Sequence, residues 1–380
     1  MNLRQKIVDE IRERGPIPFS RYMELCLYHP ELGYYSRHAE QFGKAGDFYT
    51  ASDVHAVFGR LLARQFEQMW RVLGCPGTID IVELGPGRGL FAQDVLDWSE
   101  KKFPDLFEAL RYSLVERSQA LRERLRSTLH RHFEAGKASF ATFPPDPPRP
   151  AVASAPPVIL FANEFFDALP VEVLSSEGEL RISERGGRFL ETWGPPSPEQ
   201  LSFLDRYGVH PESGERVEIP LIAQGRMAAV AASIHRGFLI AIDYGYTRQE
   251  QLQGRYGGTL MAYRRHAVGT TPYEAPGEQD ITAHVSFTAL AAAAEQQGMR
   301  VQPLVTTAQF LMGIGERNQF ADAFEDCRRP EERTKVALQL KHLIAPAGLG
   351  ETFQVLVAST GVEPGQVASL DGLRLENCTS

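Results

Sequence analysis

The chain has 380 residues, 43% of them hydrophobic and 23% charged, with a formal net charge of -8. This is the composition of an ordinary globular protein, and the acidic balance argues against nucleic acid as a main partner, because phosphate binding needs a basic surface. No apolar run is long enough for a membrane-spanning helix, and Cys26, Cys75, Cys327 and Cys378 form no C-x-x-C pair, which argues against a disulfide scaffold or zinc site and fits a reducing cytoplasm.

The first segment predicts an amphipathic helix over 2–14, with Leu3, Ile7, Val8 and Ile11 on one face and Gly15-Pro16 as its stop. Its acidic residues distinguish it from a secretory signal or transit peptide, so a bacterial cytoplasmic location is expected. A second helix, Arg21 to Leu27, leads into the aromatic turn Tyr28-His29-Pro30-Glu31-Leu32-Gly33-Tyr34-Tyr35, read as packing this segment onto the domain. Residues 43–53 mix glycines, acids, aromatics and hydroxyls without periodicity, the composition of a loop that lines a site. Ser52 or Asp53 is also placed to cap a helix from Val54 to Leu73.

The most informative stretch is Thr78 to Gly89. A β-branched apolar run ends at Glu83-Leu84, followed by the turn Gly85-Pro86-Gly87-Arg88-Gly89 and an apolar-periodic helix from Leu90. Strand, tight turn and helix together place a ligand at the carboxyl end of a strand. The spacing is G-x-G-x-G, not the G-x-G-x-x-G of dinucleotide folds, and Glu83 brings negative charge to the turn. That suits a cationic ligand, and S-adenosylmethionine carries both an ammonium and a sulfonium. Arg111 to Glu116 reads as the next strand. An acid at its end, Glu116, is where nucleoside-binding α/β folds hold the ribose hydroxyls. His130 and His132 in the following helix point in different directions, which suits no metal.

A proline-rich stretch, 144–157, precedes the apolar run Val158 to Ala162, which reads as a buried parallel strand. Its end carries Asn163, Glu164 and Asp167, polar groups that are costly at the mouth of a central strand unless used or paired. Val171 to Trp193 reads as a small antiparallel meander, and 171–220 as an insertion. Gly237 to Tyr246 is another central strand, ending at Asp243. After it come a polar loop between 257–266 and 280–287, a helix from Phe287, a strand from Met299 to Val305, a helical stretch over 308–344, a last strand over 352–358 and a polar tail over 361–380. The alternation of strands and helices predicts an α/β, doubly wound, mostly parallel sheet.

Together these motifs resemble those of the MidA-like methyltransferases, a family that includes the mitochondrial complex I assembly methyltransferase. The matching segments are Gly15 to Phe19, Tyr28-His29-Pro30, Gly33-Tyr34-Tyr35, Gly46 to Thr50, Glu83 to Gly89, Asn163-Glu164, Asp167 to Pro170, Ile242 to Gly245 and Asp280 to Val285, in order over about residues 1–358. Ser286 departs from the acid or amide usual after His-Val in that family. The resemblance implies a Rossmann-like class I fold with a seven-stranded sheet, an N-terminal helical segment (1–75) over the cofactor, a methyltransferase domain (76–170 and 221–360) and the small α+β insertion. It also implies S-adenosyl-L-methionine as cofactor. The mitochondrial member symmetrically dimethylates an arginine of a complex I core subunit.

On this reading Glu83, Gly85, Gly87, Gly89, Glu116 and Asn163 bind the cofactor, and Gly46, Asp47 and Thr50 close over it. An arginine acceptor is always protonated and a poor nucleophile. Glu164 and Asp167 would orient it by bidentate contact, and His284 would take its proton. The plainer alternatives are that Asp167 caps a helix, His284 is a core histidine and Asp243 fixes its own turn. The expected partner is a protein substrate such as a respiratory subunit, or else a small-molecule acceptor, with a homodimer left open. A non-catalytic assembly factor that binds the cofactor for stability is the third reading.

Overall fold

The computed structural model describes residues 2–37, 56–142, 144, 155–254, 258–264, 267–268, 271–345 and 350–374. Strand β1 (Ile17–Pro18) lies between the helices Leu3–Arg14 and Phe19–Tyr28. A central sheet begins with β2 (Ile79–Leu84), β3 (Leu110–Val115), β4 (Ala138–Phe140) and β5 (Val158–Asn163). Next come β6 (Glu172–Ser175), β7 (Gly178–Arg185), β8 (Arg188–Gly194) and β9 (Arg216–Ile219), an antiparallel sheet that β1 joins through Ile17 opposite Ile182. The chain returns to the central sheet with β10 (Gly237–Tyr246). A three-stranded sheet follows, of β11 (Met261–Arg264), β12 (Ala267–Val268) and β13 (Asp280–Thr282). The short strands β14 (Val285–Ser286), β15 (Arg300–Val301) and β16 (Val305–Thr306) and the long β17 (Phe353–Thr360) complete the central sheet.

Its main path runs β15-β17-β10-β5-β2-β3-β4, with β14 beside β10 and β16 beside β17. β2, β3, β4, β5 and β10 are parallel, and β17 runs antiparallel to β10. The chain winds outward from β2 to β4, returns at β5 and winds the other way. The order therefore reverses between β2 and β5, and the carboxyl ends of those two strands form the switch point at which such folds bind ligands. This is the Rossmann-like class I arrangement that the resemblance implied.

The physical reason is burial on both faces. Every residue of β2 is buried. Ile79 and Ile81 enter one apolar core with Phe58, Phe91 and Phe161, while Val82 and Leu84 enter the other with Leu160 and Leu290. Phe91 stacks on Phe161 at 4.4 Å, which seats the helix Leu90–Lys102 and with it the glycine turn. The first two helices pack elsewhere. Leu3, Ile7, Phe19 and Tyr22 share a core with Val173, Leu180 and Ile182, so the N-terminal segment and the strands after 171 form one body.

Three expected segments differ. The Met299 to Val305 strand is two short pairings, β15 and β16, with 302–304 between them. The 308–344 stretch divides into the helices Thr307–Glu316, Ala321–Phe324 and Pro330–Ile344. The polar tail over 361–380 is, in its described part, built into the core. Val367 and Leu370 are fully buried, and the amide oxygens of Gln68 and Gln65 accept the N–H groups of Asp371 and Gly372. Among the described residues, no helix is long and apolar enough to cross a membrane.

Candidate functional site

The turn after β2 is left-handed at all three glycines: Gly85 at φ 64°, Gly87 at 54° and Gly89 at 79°. Two are also tight for space. A Cβ on Gly89 would meet Leu125 Cδ2 at 2.6 Å, and one on Gly85 would meet the Phe165 ring at 3.0 Å. Around Gly87 no described atom lies within 4 Å of such a Cβ. Glu83 is oriented differently from a simple turn acid. Its carboxyl is buried and accepts the Tyr112 hydroxyl at 2.9 Å, and burial pushes it up to about 8 despite that bond. Glu116 follows β3. It accepts the Ser118 N–H at 2.7 Å, and burial raises its pKa.

Across the switch point, β5 ends at Asn163, whose Nδ2 donates to Glu164 Oε1 at 3.1 Å and whose Oδ1 is buried without a hydrogen-bond partner among the described residues. Glu164 is itself left-handed, at φ 49°. Such a conformation costs on the order of 1–3 kcal/mol in a non-glycine residue and is typical of functional sites. It is held by its own N–H, donated to the Ile242 carbonyl at 2.9 Å. Asp167 is 3% exposed. Its Oδ2 accepts the Tyr244 hydroxyl at 2.5 Å, and its Oδ1 has no hydrogen-bond partner among the described residues.

Asp243 acts on a neighbouring turn as well as its own. Its Oδ2 accepts the N–H groups of Phe166 at 3.0 Å and Asp167 at 3.3 Å, and Oδ1 that of Tyr244 at 2.9 Å. Burial, then the charges of Asp167 and Glu164, push its carboxyl well above the usual range. Asp167 is also raised by burial. Close carboxyls in so dry a place cannot all ionise, so they titrate as a set.

His284 joins this group through Tyr244, whose ring it meets edge-on at 5.2 Å. The His284 N–H donates to Thr259 Oγ1 at 3.0 Å, and Thr259 in turn donates its hydroxyl to Glu218 at 2.9 Å. Burial lowers the imidazole pKa. Ser286, the position that departs from the family pattern, is buried on β14, and its Oγ has no hydrogen-bond partner among the described residues. Gly46, Asp47 and Thr50 lie outside the described residues.

The structure also brings in residues that sequence reasoning did not assign. Tyr244 links Asp167 to His284. Tyr35 donates its hydroxyl to Asp280 Oδ1 at 2.8 Å, and Tyr28 donates to the Ala168 carbonyl at 2.9 Å. Both tyrosines stand in the aromatic turn read as packing; nothing in their spacing signals contacts so far along the chain.

The left-handed glycine turn and the buried acid after the adjacent strand both stand at the switch point, where α/β folds of this kind bind nucleosides. Comparisons with known proteins bear on the family and its cofactor. The family described as "Putative S-adenosyl-L-methionine-dependent methyltransferase" matches residues 61–305. A mitochondrial protein arginine methyltransferase NDUFAF7 homolog of Drosophila melanogaster is 27% identical over 95% of this chain and 85% of its own. The Danio rerio protein arginine methyltransferase NDUFAF7 is 29% identical over 92% and 84%. A COG1565 superfamily member from Burkholderia thailandensis, solved with bound S-adenosyl-homocysteine, shares 30% identity at a TM-score of 0.82, covering 98% of this chain and 94% of that one.

Proposed function

The chain belongs to the S-adenosyl-L-methionine-dependent methyltransferase family, of the MidA-like type, and from that premise we propose that its acceptor is the guanidinium of a protein arginine. The observation that carries this reading is Asp167, a buried carboxylate with one oxygen fixed by Tyr244 and the other without a hydrogen-bond partner among the described residues. A buried carboxylate in that state is costly and is best relieved by a cationic N–H donor. Glu164, held in a left-handed conformation three residues earlier, supplies a second carboxylate. The names of the relatives support the same acceptor. By the family resemblance, the reading extends to a respiratory complex I subunit or a similar basic protein.

When bound, S-adenosylmethionine supplies an activated methyl group on a sulfonium. In this proposal the turn Gly85–Gly89 holds its amino-acid end, with Glu83 and Asn163 beside it and Glu116 at the ribose. Asp167 and Glu164 hold two guanidinium nitrogens and draw the positive charge toward them, leaving the third nitrogen as nucleophile. That nitrogen must lose a proton as it gains a methyl group. In this proposal His284, whose imidazole pKa burial lowers, receives it.

The test is mass spectrometry of complex I subunits and of arginine and lysine peptides after incubation with the enzyme and labelled S-adenosylmethionine. Label on arginine, lost in Asp167→Asn, is expected. Label only on small amines or hydroxyls would move the assignment to a small-molecule methyltransferase.

A further inference from the structure

A chain of contacts joins Glu116 to the stretches that carry the acceptor candidates, and it passes through Tyr28 and Tyr35 of the N-terminal segment. Ser118 gives its N–H to Glu116 at 2.7 Å and its hydroxyl to the Tyr35 carbonyl at 3.1 Å. Tyr35 gives its own hydroxyl to Asp280 at 2.8 Å. Asp280 begins the strand that leads to His284, and within that stretch the Ala283 N–H bonds to the Asp167 carbonyl at 3.0 Å. The Tyr28 ring lies against that of Tyr35 at 5.5 Å, and its hydroxyl reaches the carbonyl of Ala168. Two tyrosines thus rest on both stretches that carry the acceptor candidates, while the backbone of one is tied to the residue that holds Glu116.

We propose that Tyr35 is a positioning residue that couples occupancy of the donor site to the geometry of the acceptor carboxylates. The inference rests on the assignment of Glu116 to the ribose. Hydroxyls that bind Glu116 fix the loop through Ser118, and Ser118 fixes the Tyr35 carbonyl. A fixed Tyr35 backbone narrows the positions open to its hydroxyl, and so to Asp280 and the 280–284 stretch. Burial, and after it the nearby carboxylates Asp280, Asp167 and Glu116, raise the pKa of the Tyr28 hydroxyl. Coupling between sites is reciprocal, so a well-held acceptor stretch should in turn tighten donor binding.

The experiment is hydrogen exchange of the full chain with and without S-adenosylhomocysteine, alongside calorimetry. In the wild type the ligand should slow exchange of the 280–284 amides by about fivefold or more. Tyr35→Phe, which keeps the ring, should retain S-adenosylhomocysteine affinity within about threefold while losing that slowing. Ser118→Ala, which cuts the other end of the chain of contacts, should lose it too, with thermal melting confirming that both variants are folded. Ligand binding without slowing in the wild type, or slowing that survives in Tyr35→Phe, would overturn the coupling. Full affinity in Glu116→Ala would instead remove the ribose assignment beneath it.

Discussion

The Tyr244 hydroxyl donates to Asp167 over 2.5 Å while the same ring meets His284 edge-on at 5.2 Å. One side chain therefore touches both Asp167, the carboxylate proposed to hold the acceptor, and His284, the candidate base. Hydrogen bonds to charged groups contribute about 1.5–3 kcal/mol, so Tyr244→Phe should lower kcat by roughly 10–100-fold. Asp167→Asn should cost more, because it removes the charge as well. Among the described residues neither shares a hydrogen bond with the glycine turn, so S-adenosylhomocysteine affinity by calorimetry should stay close to wild type in both. A matching loss of that affinity would show that the two residues belong to the donor site.

The glycine turn makes a separate prediction, because its glycines differ in what constrains them. Gly89→Ala meets both a left-handed backbone and Leu125 at 2.6 Å, so it should destabilise the fold by about 2–4 kcal/mol and abolish donor binding. Gly87→Ala meets only the backbone cost, roughly 1–2 kcal/mol, and should fold. A side chain there would project from the middle of the turn proposed to hold the donor, so its loss should fall on S-adenosylhomocysteine affinity. Melting temperature and calorimetry on the two variants separate the cases.

Much of this was legible in the sequence, for reasons that can be named. The strand–turn–helix at 78–98 reads clearly because a strand buried on both faces needs an apolar run and a left-handed turn needs glycines. The acids at 116, 164 and 167 stand out because charge at the end of a central strand is costly. What could not be read was long-range pairing. Tyr35 and Asp280 are 245 residues apart, and no local pattern ties one to the other. The left-handed backbone of Glu164 has no signature in residue type. The last segment misled for a different reason: its helix, Pro364–Ala368, is too short for periodicity to show that Val367 is core.

His284 fixes the expected pH profile. Burial lowers its pKa from 6.5, and the neutral form is the one that accepts a proton. The acid limb of kcat should therefore have its midpoint below 6.5, with activity flat above it until another group titrates. Stability follows the same group, since a depressed folded pKa means stability falls as pH drops below 6.5. In His284→Ala most of the rate should go, leaving the acid limb of Asp167, whose carboxyl burial raises to about 6. A rate that survives the substitution would return His284 to a structural role.

Glu83 carries the opposite sign. Its folded pKa of about 8 lies above its ordinary 4.5. The stability it contributes is fully present below 4.5 and is lost as pH rises toward 8, because the unfolded chain ionises first. Glu83→Gln keeps the shape and an acceptor for the Tyr112 hydroxyl but cannot ionise. It should stabilise the apo protein at pH 8 by on the order of 2 kcal/mol, and flatten the pH dependence of its melting temperature between 5 and 8. If Glu83 also serves the donor ammonium, the same variant should bind S-adenosylhomocysteine at least about tenfold more weakly, since it removes a buried charge pair. A variant that is more stable yet binds normally would confine Glu83 to the sheet and leave the amino group of the donor to the turn and Asn163.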